Sequence, residues 1–179
     1  KHLKRRQLGF GRGKRMNIET DTPHICSGVR LGKTLGSPIG MIIKNNDWDN
    51  WQKKMSVNEI ADKIKKITVP RPGHADLPGA LKYDFDDIRN VIERSSARET
   101  SMRVALGSVC RKLLEEFDIH ISSYVTSIYT VKDKNDYTQF TPQKINKKAD
   151  QSKVRSLSTN LENEMINKCK SMHLGNFNN

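Results

Sequence analysis

The sequence predicts an α+β fold, and three observations carry that prediction. Between Met16 and Lys44, short runs of β-forming residues are cut by glycine and proline. A 3.6-residue apolar period then runs from about Asp87 to Phe117. Alternation returns from Ile119 to Val131. Together they predict a sheet of short antiparallel strands packed on one long helix.

Taken in order, the segment from Lys4 to Arg15 holds six basic residues among Gly9, Gly11 and Gly13, which predicts a mobile loop. Met16 to Glu19 alternates apolar and polar residues, His24 to Val29 holds β-formers, and Ile39 to Lys44 is nearly continuous apolar. Asn45 to Met55 is a polar connection, and Val57 to Ile67 fits a short amphipathic helix that stops before Pro70. Asp86 and Asp87 are placed to cap the long helix and to complement its dipole. Its stripe comprises Ile88, Val91, Ile92, Met102, Ala105, Leu106, Val109, Leu113, Leu114 and Phe117, with Cys110 predicted to be buried on that face. The stripe weakens at Ser95, Ser96 and Ala97, where small residues admit a neighbouring backbone or a flat ligand. Lys132 to Lys153 reads as a polar excursion, Leu161 to Met172 as a short surface helix, and 175–179 carries no structural signal.

With 179 residues the chain suits one domain spanning 1–179, of which 1–131 is the core that carries the recognisable motifs and 132–179 a divergent, loop-rich remainder. No run approaches the roughly 18 to 20 apolar residues of a membrane span, and no secretory leader is legible. Cys26, Cys110 and Cys169 are odd in number and widely spaced, which argues against a disulfide framework or zinc knuckle and predicts a cytoplasmic setting. No metal-ligand spacing occurs. Thirty-two basic against twenty acidic residues give a net charge of +12, suited to nucleic acid or to small phosphorylated ligands. Much of that excess is lysine outside the chemically suggestive stretches, as a solvated surface would have it.

Three features suggest chemistry. His74 follows Pro72 and Gly73 on a stiff loop between Arg71 and Asp76, with no apolar periodicity to explain it. Imidazole is the side chain that titrates nearest neutrality, so a held His74 suits proton transfer. Arg94 and Arg98 stand one helical turn apart around Ser95 and Ser96, a pairing of guanidinium forks and hydroxyls suited to phosphate or a heteroaromatic edge. Arg5, Arg6, Arg12 and Arg15 lie among glycines, which permit a loop to close over phosphate; the plainer reading is a basic arm.

In order, these segments resemble chorismate synthase. Gly-Arg-Gly-Lys-Arg-Met at 11–16, Ser-Gly-Val-Arg at 27–30 and Thr-Leu-Gly-Ser-Pro-Ile at 34–39 resemble that family's first half. Arg-Pro-Gly-His-Ala-Asp at 71–76 and Glu-Arg-Ser-Ser-Ala-Arg-Glu-Thr at 93–100 resemble its most distinctive signatures. The motifs span roughly residues 3–128. The resemblance implies an α+β sandwich of sheets and helices, assembled as a homotetramer. It implies conversion of 5-enolpyruvylshikimate 3-phosphate to chorismate by 1,4-elimination of phosphate, dependent on reduced FMN without net redox change. His74 would correspond to the histidine that exchanges a proton with the reduced flavin. Arg94, Ser95 and Ser96 would correspond to a flavin-contacting segment. Arg6 and Arg12 would meet the substrate phosphate or, where members reduce their own flavin, NADPH. Arg71 would add to the substrate's anion pocket.

The family opens with a strand ending in Gly-Glu-Ser-His-Gly and carries a second half with a catalytic aspartate, and neither is found here. The family also places glycine after Ile128, where this chain has Tyr129. The chain is therefore expected to be an incomplete member without turnover of its own. Two other classes compete: a basic nucleic-acid-binding protein, and a domain that keeps the fold without a complete site. Aromatic residues make up 6% of the chain and show no paired stacking motif, which disfavours single-strand recognition.

Overall fold

Residues 2–11, 20–61, 63–95 and 97–175 are described by a computed structural model. Arg12, Arg15, the Met16–Glu19 run, Ser96 and 176–179 lie outside the described residues. The elements are α1 (His2–Arg6), β1 (Pro23–Ile25), β2 (Val29–Arg30), β3 (Lys33–Thr34), β4 (Met41–Ile43), α2 (Asp76–Tyr83), α3 (Arg89–Ser95), α4 (Ala97–Glu116), β5 (Ser127–Ile128), β6 (Val131–Lys132), α5 (Pro142–Gln151) and α6 (Thr159–Gly175). Helices and small antiparallel sheets make this an α+β chain. Among the described residues the strands form three separate pairs, β1–β4, β2–β3 and β5–β6, instead of one sheet.

The chain divides into two compact units, Ile18–Gly107 and Lys1–Asn17 with Ser108–Asn179. In the first, β1 and β4 pair antiparallel with His24 opposite Ile42. Val57 to Ile67 is not helical among its described residues. Its large apolar residues, Val57, Ile60, Ile64 and Ile67, are all β-branched, and Val57 is fully exposed, so a helix would gain little propensity or burial there. The backbone around Ile67 is tied instead to the start of α3. Its N–H donates to Asp87 Oδ1 (3.1 Å) and its carbonyl accepts from Ile88 N–H (2.8 Å). The same Asp87 Oδ1 accepts from Arg89 N–H at 2.9 Å, so one carboxylate serves the helix start and the incoming strand-like segment.

The long period from Asp87 to Phe117 is occupied by two helices, α3 and α4, flanking Ser96. The buried residues of α4 are Ser101 and Ala105. Of the predicted stripe α4 buries Ala105, whereas Met102, Leu106 and Leu113 are exposed, as are Cys110 and, just beyond the helix, Phe117.

In the second unit α1 replaces the expected loop over Lys4–Arg6. Leu3 is buried, and Arg5 bonds Asp150 and Asn146 of α5. The β-pattern from Ile119 to Val131 contracts to the hairpin β5–β6, whose turn residue Tyr129 has φ 54°. The polar stretch 132–153 contains the helix α5. Thr141 caps it, accepting from Lys144 N–H at 3.3 Å, and Pro142 takes the first turn, where its missing N–H costs nothing. Nor is α6 a surface helix: Met165 is wholly buried and joins Val131 and Val154 in the core, with Ile128, Leu161 and Ile166 around it.

Met165→Ala should therefore destabilise the chain by about 2–5 kcal/mol, read from urea unfolding. A loss below about 1 kcal/mol would contradict this account of the core.

Candidate functional site

The loop from Arg71 to Ala75 turns back on itself before α2. His74 N–H donates to the Arg71 carbonyl at 3.3 Å, and Gly73 takes φ 68°, a backbone region that side-chain-bearing residues avoid. The turn brings Arg71, His74 and Asp76 together. Asp76 is fully buried, and both its oxygens are engaged. Oδ2 accepts from Arg71 Nε (2.8 Å) and from the Arg71 main-chain N–H (3.0 Å). Oδ1 accepts from Arg71 Nη2 at 2.9 Å and lies 2.8 Å from His74 Nδ1. The Arg71 fork above all, with its backbone N–H and His74 adding to it, holds the Asp76 carboxyl well below the ordinary value of 3.8, against the opposing effect of burial. The imidazole remains about one third exposed.

The helix that begins at Asp76 carries Pro78 and Gly79, residues hostile to a helix interior. Pro78 falls in the first turn, where N–H groups have no helical partner. Gly79 faces α3 so closely that a Cβ there would overlap Val91 Cγ1. That close approach shapes a hollow of about 400 Å³, with Ala75 at its edge. Lys82 and Tyr83 of α2, Arg94 and Ser95 of α3, and Glu99 and Arg103 of α4 line it. The Arg94 guanidinium and the Lys82 ammonium stand over the Tyr83 ring at 5.4 and 5.2 Å. Arg103 pairs with Glu99 through Nε (2.9 Å) and Nη2 (2.8 Å). Three cations against one carboxylate suit an anionic guest, and the volume falls within the range of small-ligand pockets.

Arg94 and Ser95 thus line one hollow. The Ser95 hydroxyl donates to the Val91 carbonyl at 2.7 Å, which leaves its lone pairs to the hollow. The His74 ring does not line it; Ala75 does, and the ring turns to Asp76. Arg71 directs its fork at Asp76, not into an anion pocket. Arg98 does not share a face with Arg94. It reaches back from α4, donating from Nη2 to the Ile43 carbonyl at 2.7 Å, with Nη1 3.9 Å from Asp21. Arg6 lies on α1, in the other compact unit. Sequence reasoning gave no role to Asp76, Lys82, Tyr83 or Arg103. The available signal was an aspartate two residues after His74 and five after an arginine.

The sequence profile described as chorismate synthase matches residues 1–175. The chain belongs to the chorismate synthase family. This match runs past residues 3–128, over which the motifs alone carry the likeness, and takes in α5 and α6. A chorismate synthase from Aquifex aeolicus is 52% identical over 162 residues, covering 86% of this chain and 40% of that one. The Lactococcus lactis chorismate synthase is 58% identical over 128 residues, 70% of this chain and 33% of the relative. A crystal structure of a chorismate synthase matches with TM-score 0.65 at 34% identity, over 96% of this chain and 43% of that chain. The chain therefore spans about two fifths of the length of these full chorismate synthases.

The Asp76 geometry sets a pH dependence. The folded carboxyl binds its proton less readily than the unfolded one, so its contribution to stability is full above pH 3.8 and is lost as pH falls below that value. Asp76→Asn should remove that part of the slope when unfolding free energy is followed into acid. Equal slopes in the two proteins would contradict the clamp.

Proposed function

We propose that this chain provides part of a chorismate synthase, a carbon–oxygen lyase that eliminates phosphate from 5-enolpyruvylshikimate 3-phosphate in the cytoplasm. The observation that carries the reading is the meeting of two segments at α2 and α3. Residues 71–76 hold an imidazole on a buried carboxylate, and residues 94–103 present cations to a hollow beside it. In this reading His74 exchanges the proton, and Arg94, Ser95 and Ser96 contact reduced FMN. Arg6 and Arg12 meet the substrate phosphate or, for flavin reduction, NADPH. Arg71 keeps a supporting part, since its fork is engaged by Asp76.

The hollow fits the cofactor on two counts: its size suits a small ligand, and Lys82, Arg94 and Arg103 would offset a phosphate's charge. Bound there, reduced FMN would supply the electron-rich ring beside which phosphate leaves without net redox change. The complete protein is proposed to be a homotetramer with an α+β sandwich fold. Exposed apolar residues of α4, Met102, Leu106 and Leu113, with Phe117 just after it, offer such an assembly apolar area to bury. Nucleic-acid binding is less favoured, because arginines that suggested it either lie in the family's signatures or, like Arg5 with Asp150, are already paired.

A chimaera tests the proposal: the matching segment of this chain replaces its counterpart in the Aquifex aeolicus relative. With reduced FMN the chimaera should form chorismate, and His74→Ala within it should lower turnover by roughly 10²-fold or more. A folded chimaera that forms none would overturn the function, and unchanged turnover in the His74 variant would reject the proton-transfer role.

A further inference from the structure

His74 Nδ1 has two polar neighbours, Asp76 Oδ1 at 2.8 Å and Arg71 Nη2 at 3.1 Å. The two contacts make opposite demands. A guanidinium only donates, whereas an ionised carboxylate only accepts, so Nδ1 cannot hydrogen-bond both. Arg71 resolves the choice. Its Nη2 already donates to Oδ1 at 2.9 Å, and Nε and the main-chain N–H donate to Oδ2. Were Nδ1 to accept from Nη2, its lone pair would face that of a wholly buried Oδ1 across 2.8 Å. With a proton on Nδ1, Oδ1 accepts from both Nδ1 and Nη2, and the 3.1 Å approach of those two nitrogens is that of two donors sharing one oxygen.

We propose that Asp76 is a positioning residue that holds His74 as the Nδ1–H tautomer, so that Nε2 is the atom that accepts and returns the proton. This inference rests on the reading of His74 as a proton-transfer group and names the atom and the support it needs. When Nε2 takes up a proton, the ring becomes an imidazolium whose Nδ1–H stays on Asp76. The carboxylate offsets the new charge and remains ionised, and the proton leaves from Nε2 as it came. Arg71 fixes the orientation of Asp76, so it acts at two removes from the reacting atoms. The logic is that of hydrolase triads, in which a buried aspartate sets the tautomer of the histidine beside it.

The tautomer can be read in the chain itself, without substrate or flavin. Long-range proton–nitrogen correlation spectra of the 179-residue chain, at a pH where imidazole is neutral, distinguish protonated from unprotonated ring nitrogens. Loss of one signal set in His74→Gln identifies the ring. Wild type should show Nδ1 protonated. Asp76→Asn should invert this: the amide oxygen stays with the two Arg71 donors at the Oδ2 position, the single bond from Nη2 at the Oδ1 position is given up, and the NH₂ there faces Nδ1. A wild-type ring protonated at Nε2 overturns the proposal, and it does so even if the variant fails to fold. An Asp76→Asn chain that folds and keeps Nδ1–H overturns it as well. In the chimaera, Asp76→Asn should lower kcat by roughly 10²-fold with little change in KM. An inactive chimaera would count against the proposed function and leave the tautomer result standing, so the two failures are separable.

Discussion

Four contacts converge on the Asp76 carboxylate, and the rest of the candidate site is built outward from it. The group is buried, which alone would favour its neutral form, yet the Arg71 fork and backbone hold it charged. Because Asp76 is also the first residue of α2, the same carboxylate ties the loop of residues 71–75 to the helix that walls the hollow. Loop path, ring orientation and helix start are one construction. A buried charge left without its partner is among the costlier defects a fold can carry, which gives this arrangement little freedom to drift.

The excess positive charge is organised differently in the two compact units. In the unit of Ile18–Gly107 the cations at the hollow belong to three successive helices, and two of them rest over one tyrosine ring. In the other unit, Lys144 and Lys148 cover Phe140 at 3.9 and 5.3 Å, while Arg5 and Arg155 share Asp150. Those contacts shield an aromatic ring and join helices. A single figure for net charge therefore mixes cations that line a hollow with cations that have architectural settings.

Local chemistry made part of this structure legible. Asp87 could be read as a cap because capping depends on near neighbours, and β1 and β4 could be read from short apolar runs. Where packing overrode local preference, the reading failed. Pro78 and Gly79 hide α2 from any propensity argument, and only the approach of Val91 explains the glycine. The stripe on α4 was real as a pattern, but of it the helix buries Ala105 alone, together with Ser101, which lay outside the pattern. Thr141 and Pro142 are start signals for α5 that the lysines around them obscured. Tyr129, standing where the family resemblance leads one to expect glycine, occupies a left-handed turn position that explains that expectation. For the site, residue types were legible and directions were not. Arg71 and Arg98 were visible as cations, but nothing local says that one turns to Asp76 and the other to the Ile43 carbonyl.

The missing methyl group at Gly79 has a consequence for how this hollow can change over evolutionary time. Its width follows from how near the main chain of α2 comes to the Val91 side chain of α3, a contact that leaves no room for a methyl group at position 79. Tailoring it to a larger or smaller guest would mean shifting a whole helix, and with it the start of the segment that orients the imidazole. The size of the hollow and the aim of the His74 ring are thereby coupled, because both depend on where α2 lies.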